Sequence, residues 1–394
     1  MDLTHFIESF PQLQEFLYVG IFDHDFHRTF VTWSNHKPIH QTPNFPENIE
    51  NAKNSHISHI VLLPYNSLKK PIFVPTDGHI VLDHQNKNIL IVGSEEFHNS
   101  YRPHDRYKNS ALSDINIYTS IPIPEETKIH YIDGVTKILN EIKEGNIYQC
   151  NVAWRSPVFT IKNDLEIYIR LQRKNPSRFG CWIKCQNTSY ISNSPEQFLH
   201  IYHHPENSCV SSTPIKGTRQ NRENWKNKEE LWDCKKERAE LTMVVDMVRN
   251  DFGKFCTPGS IIAGNRNIRR CGDLYHAEQQ VRGIFSKEEV SLSEVLQATF
   301  PAASVTGTPK RAAMNYISQI ELTPRNMYTG SMGWLKSNGE MHVNVAIRMI
   351  EVEDNIGFFH VGCGIVSDSN PQREWEESIA KSNAIMRTLG KNWI

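Results

Sequence analysis

Short apolar runs between turn formers dominate the first 110 residues. "HISHIVLLPY" and "NILIVGS" stand among stretches rich in Pro, Asn and Asp, a pattern that predicts strands. "PHDRYKNSALSDINIYTSIPIPEET" reads as a linker, dividing the chain into 1–114 and 115–394, two parts of one interleaved unit. Beyond it the period changes. Ile and Leu at helical spacing in "KIHYIDGVTKILNEIKEGNIYQC" predict a helix ending near Gly145, and "DLEIYIRLQRKN" predicts another. "GCWIKCQNTSYISNSPEQFLHIYH" reads as a hairpin of two strands. One long helix is expected from about Trp225 to Phe252, with Leu231, Leu241, Val244, Val245 and Val248 near 3.6-residue spacing. "LSEVLQATF" and "PKRAAMNYISQI" each open at a turn or proline, as helices do. A glycine-punctuated meander of strands is expected from Met327 to Val366, then a last helix over about 372–389. Strands and helices mix without regular alternation, so the expected class is α+β with large, mainly antiparallel sheets.

Composition narrows the function. The formal net charge is −1, which favours neither nucleic acid nor an anionic membrane as a partner. No apolar run approaches the roughly 20 residues that span a bilayer, and the start lacks the basic and apolar regions of a signal peptide. Eight cysteines at 150, 181, 185, 209, 234, 256, 271 and 363 form no CxxC pair. They read as buried thiols of a cytoplasmic protein.

Several positions carry candidate chemistry. Glu237 and Glu240 stand three apart on one helix, and Glu374 and Glu377 repeat that spacing on the last. Four carboxylates on two helices can hold Mg²⁺, though solvated helix faces show the same pattern. The glycines Gly362 and Gly364 in "HVGCGIV" would let backbone N–H groups approach an anion, or mark a bulge. Arg348 sits in a stretch read as an apolar strand, facing either an anion or water. Tyr328 offers a hydroxyl or a core ring. Glu196 follows a proline at a strand end, as a general acid or a surface turn residue would. His276 is one of 18 histidines. Lys216 lies in a turn beside Gly217, and is a nucleophile only if burial lowers its pKa.

In this order, "SPEQF", "PIKGT", "ERAELTMVVDMVRND", "FPAASVTGTPK", "YTGSMG", "GCGIVSDS" and "QREWEES" resemble the chorismate-utilising enzymes, from about residue 115 to 390. The resemblance implies their fold, a sandwich of two α/β subdomains with large antiparallel sheets and the active site between them. It implies Glu240 and Glu377 as Mg²⁺ ligands, with Glu237 and Glu374 completing the acidic shell. It assigns Glu196 as general acid/base and His276 to the neighbourhood of the leaving group. Tyr328, Arg348 and the Gly362–Cys363–Gly364 backbone would bind the enolpyruvyl carboxylate, and Thr306 and Gly307 would line the pocket. The lysine of "PIKGT" resembles the aminodeoxychorismate synthase branch, where it attacks the ring; anthranilate synthases usually carry alanine there. Gln149 stands where water-using members place a lysine, which implies ammonia as the nucleophile. Thr308, Asn344 and Cys363 depart from the commonest residues of the family. With no glutaminase segment recognisable, the resemblance implies chorismate and ammonia as substrates and a separate glutamine amidotransferase subunit. "FIES" at 6–9 is a faint echo of the feedback pocket of anthranilate synthases.

Overall fold

Strands from both ends of the chain share each large sheet. The computed structural model describes residues 16–24, 28–40, 55–65, 71–86, 88–100, 119–204, 206–220, 225–271 and 274–393. "FIES" and most of the linker-like stretch lie outside them. The larger sheet has nine strands in the order Asn88–Gly93, Gly78–Asp83, Arg28–Ser34, Tyr18–His24, Phe179–Cys185, Thr188–Ser194, Met349–Glu353, Ile356–Phe358, Phe159–Thr160. The second has eight: Ile262–Ala263, Val281–Phe285, Ser208–Thr213, Gln197–His203, Met341–Asn344, Ser331–Lys336, Ile57–Leu63, Ile72–Pro75. The pairings within both are antiparallel.

Alternating strand residues give each sheet two apolar faces, and three clusters cover them. Phe22, Phe30 and Ile183 of the nine-stranded sheet meet Ile60, Met332 and Trp334 of the eight-stranded one, forming the seam of the sandwich. On the outer side of the larger sheet, Trp182, Ile191 and Ile350 pack with Val135 and Ile138 of the helix Glu125–Lys143 and Tyr168 of the helix Asp164–Lys174. On the smaller sheet, Phe198, Val210 and Val343 pack with Leu241, Val244, Val245 and Val248 of the helix Lys235–Phe252. Each such side chain contributes about 1.5–3 kcal/mol on burial. No helix among the described residues is long and apolar enough to cross a membrane.

Three expectations are corrected. The single helix over 225–252 is two, Trp225–Asp233 and Lys235–Phe252, because Cys234 is extended (φ −62°, ψ 108°). Arg266 donates to the carbonyls of Leu231 and Trp232, both at 2.7 Å, satisfying the end of the first helix. The two-strand hairpin is Phe179–Cys185 with Thr188–Ser194; Gln197–His203 leaves it for the other sheet. The late meander is likewise divided, with Ser331–Lys336 and Met341–Asn344 in one large sheet, Met349–Glu353 and Ile356–Phe358 in the other, and His360–Ile365 in a small third sheet.

That third sheet runs Gly307–Thr308, Gln149–Arg155, His360–Ile365, and is locked to the sandwich by one buried ion pair. Arg325 is 1% exposed; its Nη2 meets Glu321 Oε1 at 2.6 Å and its Nε meets Oε2 at 2.9 Å. The remaining guanidinium donors reach the carbonyls of Val305 and Asn151, both at 2.9 Å, and Thr329 Oγ1 at 3.2 Å. Glu321 also accepts from Ala153 N at 3.0 Å. Replacing Arg325 by Met leaves Glu321 buried without its cation. Unfolding in denaturant should lose about 3–5 kcal/mol with an unchanged slope; a loss below about 1 kcal/mol would mean the pair is not the lock.

Candidate active site

Lys216 points inward because its strand is irregular. Ile215–Gln220 pairs with Leu274–Glu278, but the register slips between Lys216 and Thr218, and Gly217 absorbs the extra residue at φ +84°. A β-bulge there needs a residue without Cβ, and one built on Gly217 would stand 2.8 Å from Glu237 Oε2. Lys216 Nζ donates to the Ser304 carbonyl at 3.2 Å. It also lies 3.3 Å from where a Cβ on Gly364 would be, with Gln149 Nε2 at 3.1 Å from the same point. Burial lowers the Lys216 pKa, opposed by Glu240 and Glu196.

Glu196 is 4% exposed, and the surface-turn alternative fails. The turn after Pro195 is pinned by Ser194 Oγ, which accepts from Glu196 N at 3.2 Å, and by Val345 N, which donates to Glu196 O at 3.0 Å. Burial pushes the carboxyl up to about 7, against the lowering effects of the Ser304 side chain, Lys216, the Ile215 backbone and Arg348. A carboxylic acid that titrates near neutrality beside an amine is suited to general acid/base work.

His276 joins this group through Thr218, whose Oγ1 is 2.9 Å from Nδ1. Its Nε2 is 3.4 Å from Arg348 Nη2. Arginine only donates, so Nε2 accepts and Nδ1 carries the proton. Burial and Arg348 hold the imidazole down to about 3, leaving it neutral. Arg348 itself is corrected from strand to turn: it precedes Met349–Glu353 at φ +49°. Thr329, next to Tyr328, is also left-handed at φ +60°, and its N–H donates to Ala346 O at 2.7 Å. Two non-glycine residues held at positive φ on facing turns are strained backbone, the kind that gathers at functional sites.

Tyr328 stacks on His360 with centroids 5.3 Å apart, and burial pushes its phenol up to about 12, so it stays a donor. Gly362 and Gly364 lie in regular strand rather than in a bulge, paired with Ala153 and Asn151. A Cβ on Gly362 would stand 2.3 Å from Val152 O. Gly307, in extended backbone, pairs with Cys150, and Thr308 pairs with Gln149. The Thr306 hydroxyl donates to the Ala302 carbonyl at 3.0 Å, so it holds the loop from beneath. A cavity of about 1490 Å³ lies along the helix face of Ala239, Met243 and Met247 rather than over Lys216, and touches this cluster at Thr308.

The acidic residues assemble from two helices. Glu237 accepts from Arg219 at 3.3 Å, and Glu374 from Ser369 Oγ at 2.6 Å. Glu240 is pushed up by burial and by the like charges of Glu237 and Glu377, while Lys216 pulls it down. Glu377 has burial against it, but Lys381 at 2.8 Å brings its pKa below the usual value. This crowding of oxygen donors fits a hard divalent cation such as Mg²⁺. Ligand atoms of Cys363, Glu374 and Glu377 come within 4.8 Å of one another, yet burial lifts the Cys363 thiol to about 11. A neutral sulfur does not suit Mg²⁺, and Cys363 faces the helix Pro371–Thr388, donating to Glu374 O. Sequence reasoning missed two members. Ser304 accepts from Lys216 Nζ at its carbonyl, and it lines the same small cavity as Glu196. Lys381 Nζ is 3.4 Å from the Gly362 carbonyl; its signal was the four-residue offset from Glu377.

The chain is similar to several known proteins. Component 1 of anthranilate synthase from Aquifex aeolicus is 34% identical over 268 residues, 67% of this chain and 53% of that protein. Component 1 of aminodeoxychorismate synthase from Bacillus subtilis is 28% identical over 354 residues, 85% and 74% of the two chains. The chain thus spans little more than half the length of the first relative. The menaquinone-specific isochorismate synthase of Escherichia coli shares the fold, with a TM-score of 0.76 at 16% identity over 99% of this chain and 91% of that one. The chorismate binding enzyme family matches residues 51–387, and the chain belongs to that family.

Proposed function

We propose that the chain is the chorismate-converting component of an aminodeoxychorismate synthase, forming 4-amino-4-deoxychorismate through an adduct on Lys216. The observation that carries this reading is the half-buried Lys216, its pKa lowered by desolvation, held in one cluster with Glu196. Glu196 gives its proton to the C4 hydroxyl, which leaves as water while Lys216 bonds to C2 and the double bond shifts. Ammonia then attacks C4, the C2–N bond breaks, Lys216 departs as an amine, and the surplus ammonia proton returns to Glu196. The sum is chorismate plus ammonia to aminodeoxychorismate plus water. His276, neutral and accepting from Arg348, orients that arginine near the leaving group. Arg348, Tyr328 and the Gly362–Gly364 backbone hold the enolpyruvyl carboxylate. Mg²⁺ bound by Glu240 and Glu377, with Glu237 and Glu374 around them, would neutralise the ring carboxylate. Gln149 cannot act as a base toward water, which supports ammonia as the nucleophile. Relatives named as component 1 support a second subunit, a glutamine amidotransferase, as its source.

Anthranilate synthase is the second reading, favoured by the 34% identity to the Aquifex protein. Incubation with chorismate, Mg²⁺ and ammonium decides between them. Product with the hydroxyl replaced by an amine and no pyruvate is expected; stoichiometric pyruvate with fluorescent ortho-aminobenzoate would establish the alternative. Without ammonium, intact-protein mass should show a chorismate-minus-water adduct that Lys216→Ala abolishes. Glu196→Gln should lower kcat roughly 10²–10⁴-fold. Activity requires Glu196 protonated and Lys216 neutral. The first is lost as pH rises through about 7 and the second is lost as pH falls, so kcat/KM should be bell-shaped; a flat profile would remove this pair from the mechanism. Gly364→Ala sets a methyl against the flexible ends of Lys216 and Gln149. It should depress kcat while changing stability by less than about 1 kcal/mol.

A further inference from the structure

Cys363 lies on the strand His360–Ile365 between Gly362 and Gly364, and alternation turns its side chain to the opposite face from both. That face meets the helix Pro371–Thr388, where Cys363 Sγ donates to Glu374 O at 3.5 Å. One ligand atom each from Cys363, Glu374 and Glu377 falls within 4.8 Å of the other two, and Glu240 stands outside this set. The set already draws a positive charge. Lys381 Nζ is 2.8 Å from Glu377 Oε1 and 3.4 Å from Cys363 Sγ. A second donor faces the sulfur. The Tyr131 hydroxyl is buried without a well-formed hydrogen bond, and stands close enough to Cys363 to favour its thiolate. Buried hydroxyls are rarely left this way, and this one points to an acceptor carrying more charge than a thiol does. Glu374 is oriented by Ser369 Oγ at 2.6 Å. The Lys381 and Glu377 side chains are 47% and 56% exposed, so the set opens to solvent on their side.

We infer that Cys363, Glu374 and Glu377 bind zinc, with Lys381 as the cation that zinc displaces. Zinc takes thiolate and carboxylate together, whereas Mg²⁺ takes oxygen, so the sulfur selects between the two ions. On binding, the Cys363 proton goes to solvent, Lys381 turns outward still protonated, and water is the fourth ligand. Tetrahedral bonds of about 2.0–2.3 Å set ligand atoms about 3.5 Å apart, a closure that the exposed Glu377 side chain makes by rotating. Tyr131 then donates to the metal-bound sulfur. Zinc seated here takes Glu374 and Glu377 from the acidic shell proposed for Mg²⁺, and so inhibits the enzyme. The site stands on these residues alone, whichever amine the enzyme forms.

The metal-free full chain would be titrated with Co²⁺, a zinc surrogate whose bond to sulfur gives a near-ultraviolet charge-transfer band, and then with Zn²⁺. The wild type should show the band and Zn²⁺ should erase it. Cys363→Ser should lack it, with zinc affinity lowered roughly tenfold or more, and Tyr131→Phe should lower zinc affinity roughly tenfold. Lys381→Met removes the competing cation and should tighten zinc binding roughly tenfold, an effect that a merely structural lysine would not give. Zinc inhibition of the Mg²⁺-supported rate, taken against each variant's own rate, should weaken in Cys363→Ser. A band of equal strength in Cys363→Ser places the metal on another thiol and overturns the assignment, as does unchanged zinc affinity in Lys381→Met. If the serine variant does not fold, the Lys381→Met and Tyr131→Phe affinities decide alone. Zinc that binds without inhibiting overturns the competition with Mg²⁺. The spectra need no turnover, so a failure of the proposed reaction leaves this test standing.

Discussion

The ion pair of Arg325 and Glu321 is the constraint from which the site takes its shape. A buried guanidinium has five donors to satisfy, and here they are met by a carboxylate, two main-chain carbonyls and a hydroxyl from separate segments. The carbonyls belong to Asn151, in the strand that carries Gln149, and to Val305, beside Thr306 and Ser304. The hydroxyl is on Thr329, next to Tyr328. One cation thus fixes the relative positions of the amide strand, the loop under Lys216 and the tyrosine. Its guanidinium also lies 4.7 Å from the Tyr65 ring centroid, extending the tie to the start of the chain. Burying such a pair adds little net stability by itself. What it supplies is placement.

Around that frame, charge is arranged so that no single group is at rest. Lys216 is lowered by burial yet raised by three carboxylates, while Glu196 is raised by burial yet lowered by two cations. Burial moves both toward neutrality while each draws the other toward its charged form, a balance in which an acid and an amine can exchange roles. Glu240 and Glu377 repeat the theme, Glu240 beside Lys216 and each carboxylate crowded by other charges. Tight opposing forces of this kind are typical of sites that do chemistry rather than of solvated surfaces.

Much of this was legible in the chain. Helices with a sustained 3.6-residue period, such as Glu125–Lys143 and Pro371–Thr388, stand where the pattern placed them. "PIKGT" announced an unusual lysine, and the glycine beside it proved to be the bulge that turns it inward. What the pattern concealed was long-range. The break at Cys234 is invisible because apolar spacing continues on either side of it. Arg348 looked like a strand residue since its flanks are apolar, yet tertiary contacts hold it at positive φ. Lys381 reads as half of an ordinary helix-surface pair until the fold brings Gly362 against it. Which strands share a sheet was equally hidden, because alternation says which face is buried and not which neighbour is chosen.

That pairing has a consequence for how the molecule comes into being. Tyr18–His24 finds its partner in Phe179–Cys185, and Ile57–Leu63 finds its partner in Ser331–Lys336. During synthesis the early strands emerge long before the segments that cover their edges. For most of translation one rim of Ile57–Leu63 has nothing to pair with, and nascent chains in that state are open to association with one another. Closure of both sheets waits on strands in the last fifth of this sequence, and long-range pairing of that kind slows folding because loop-closure entropy must be met before the contacts form.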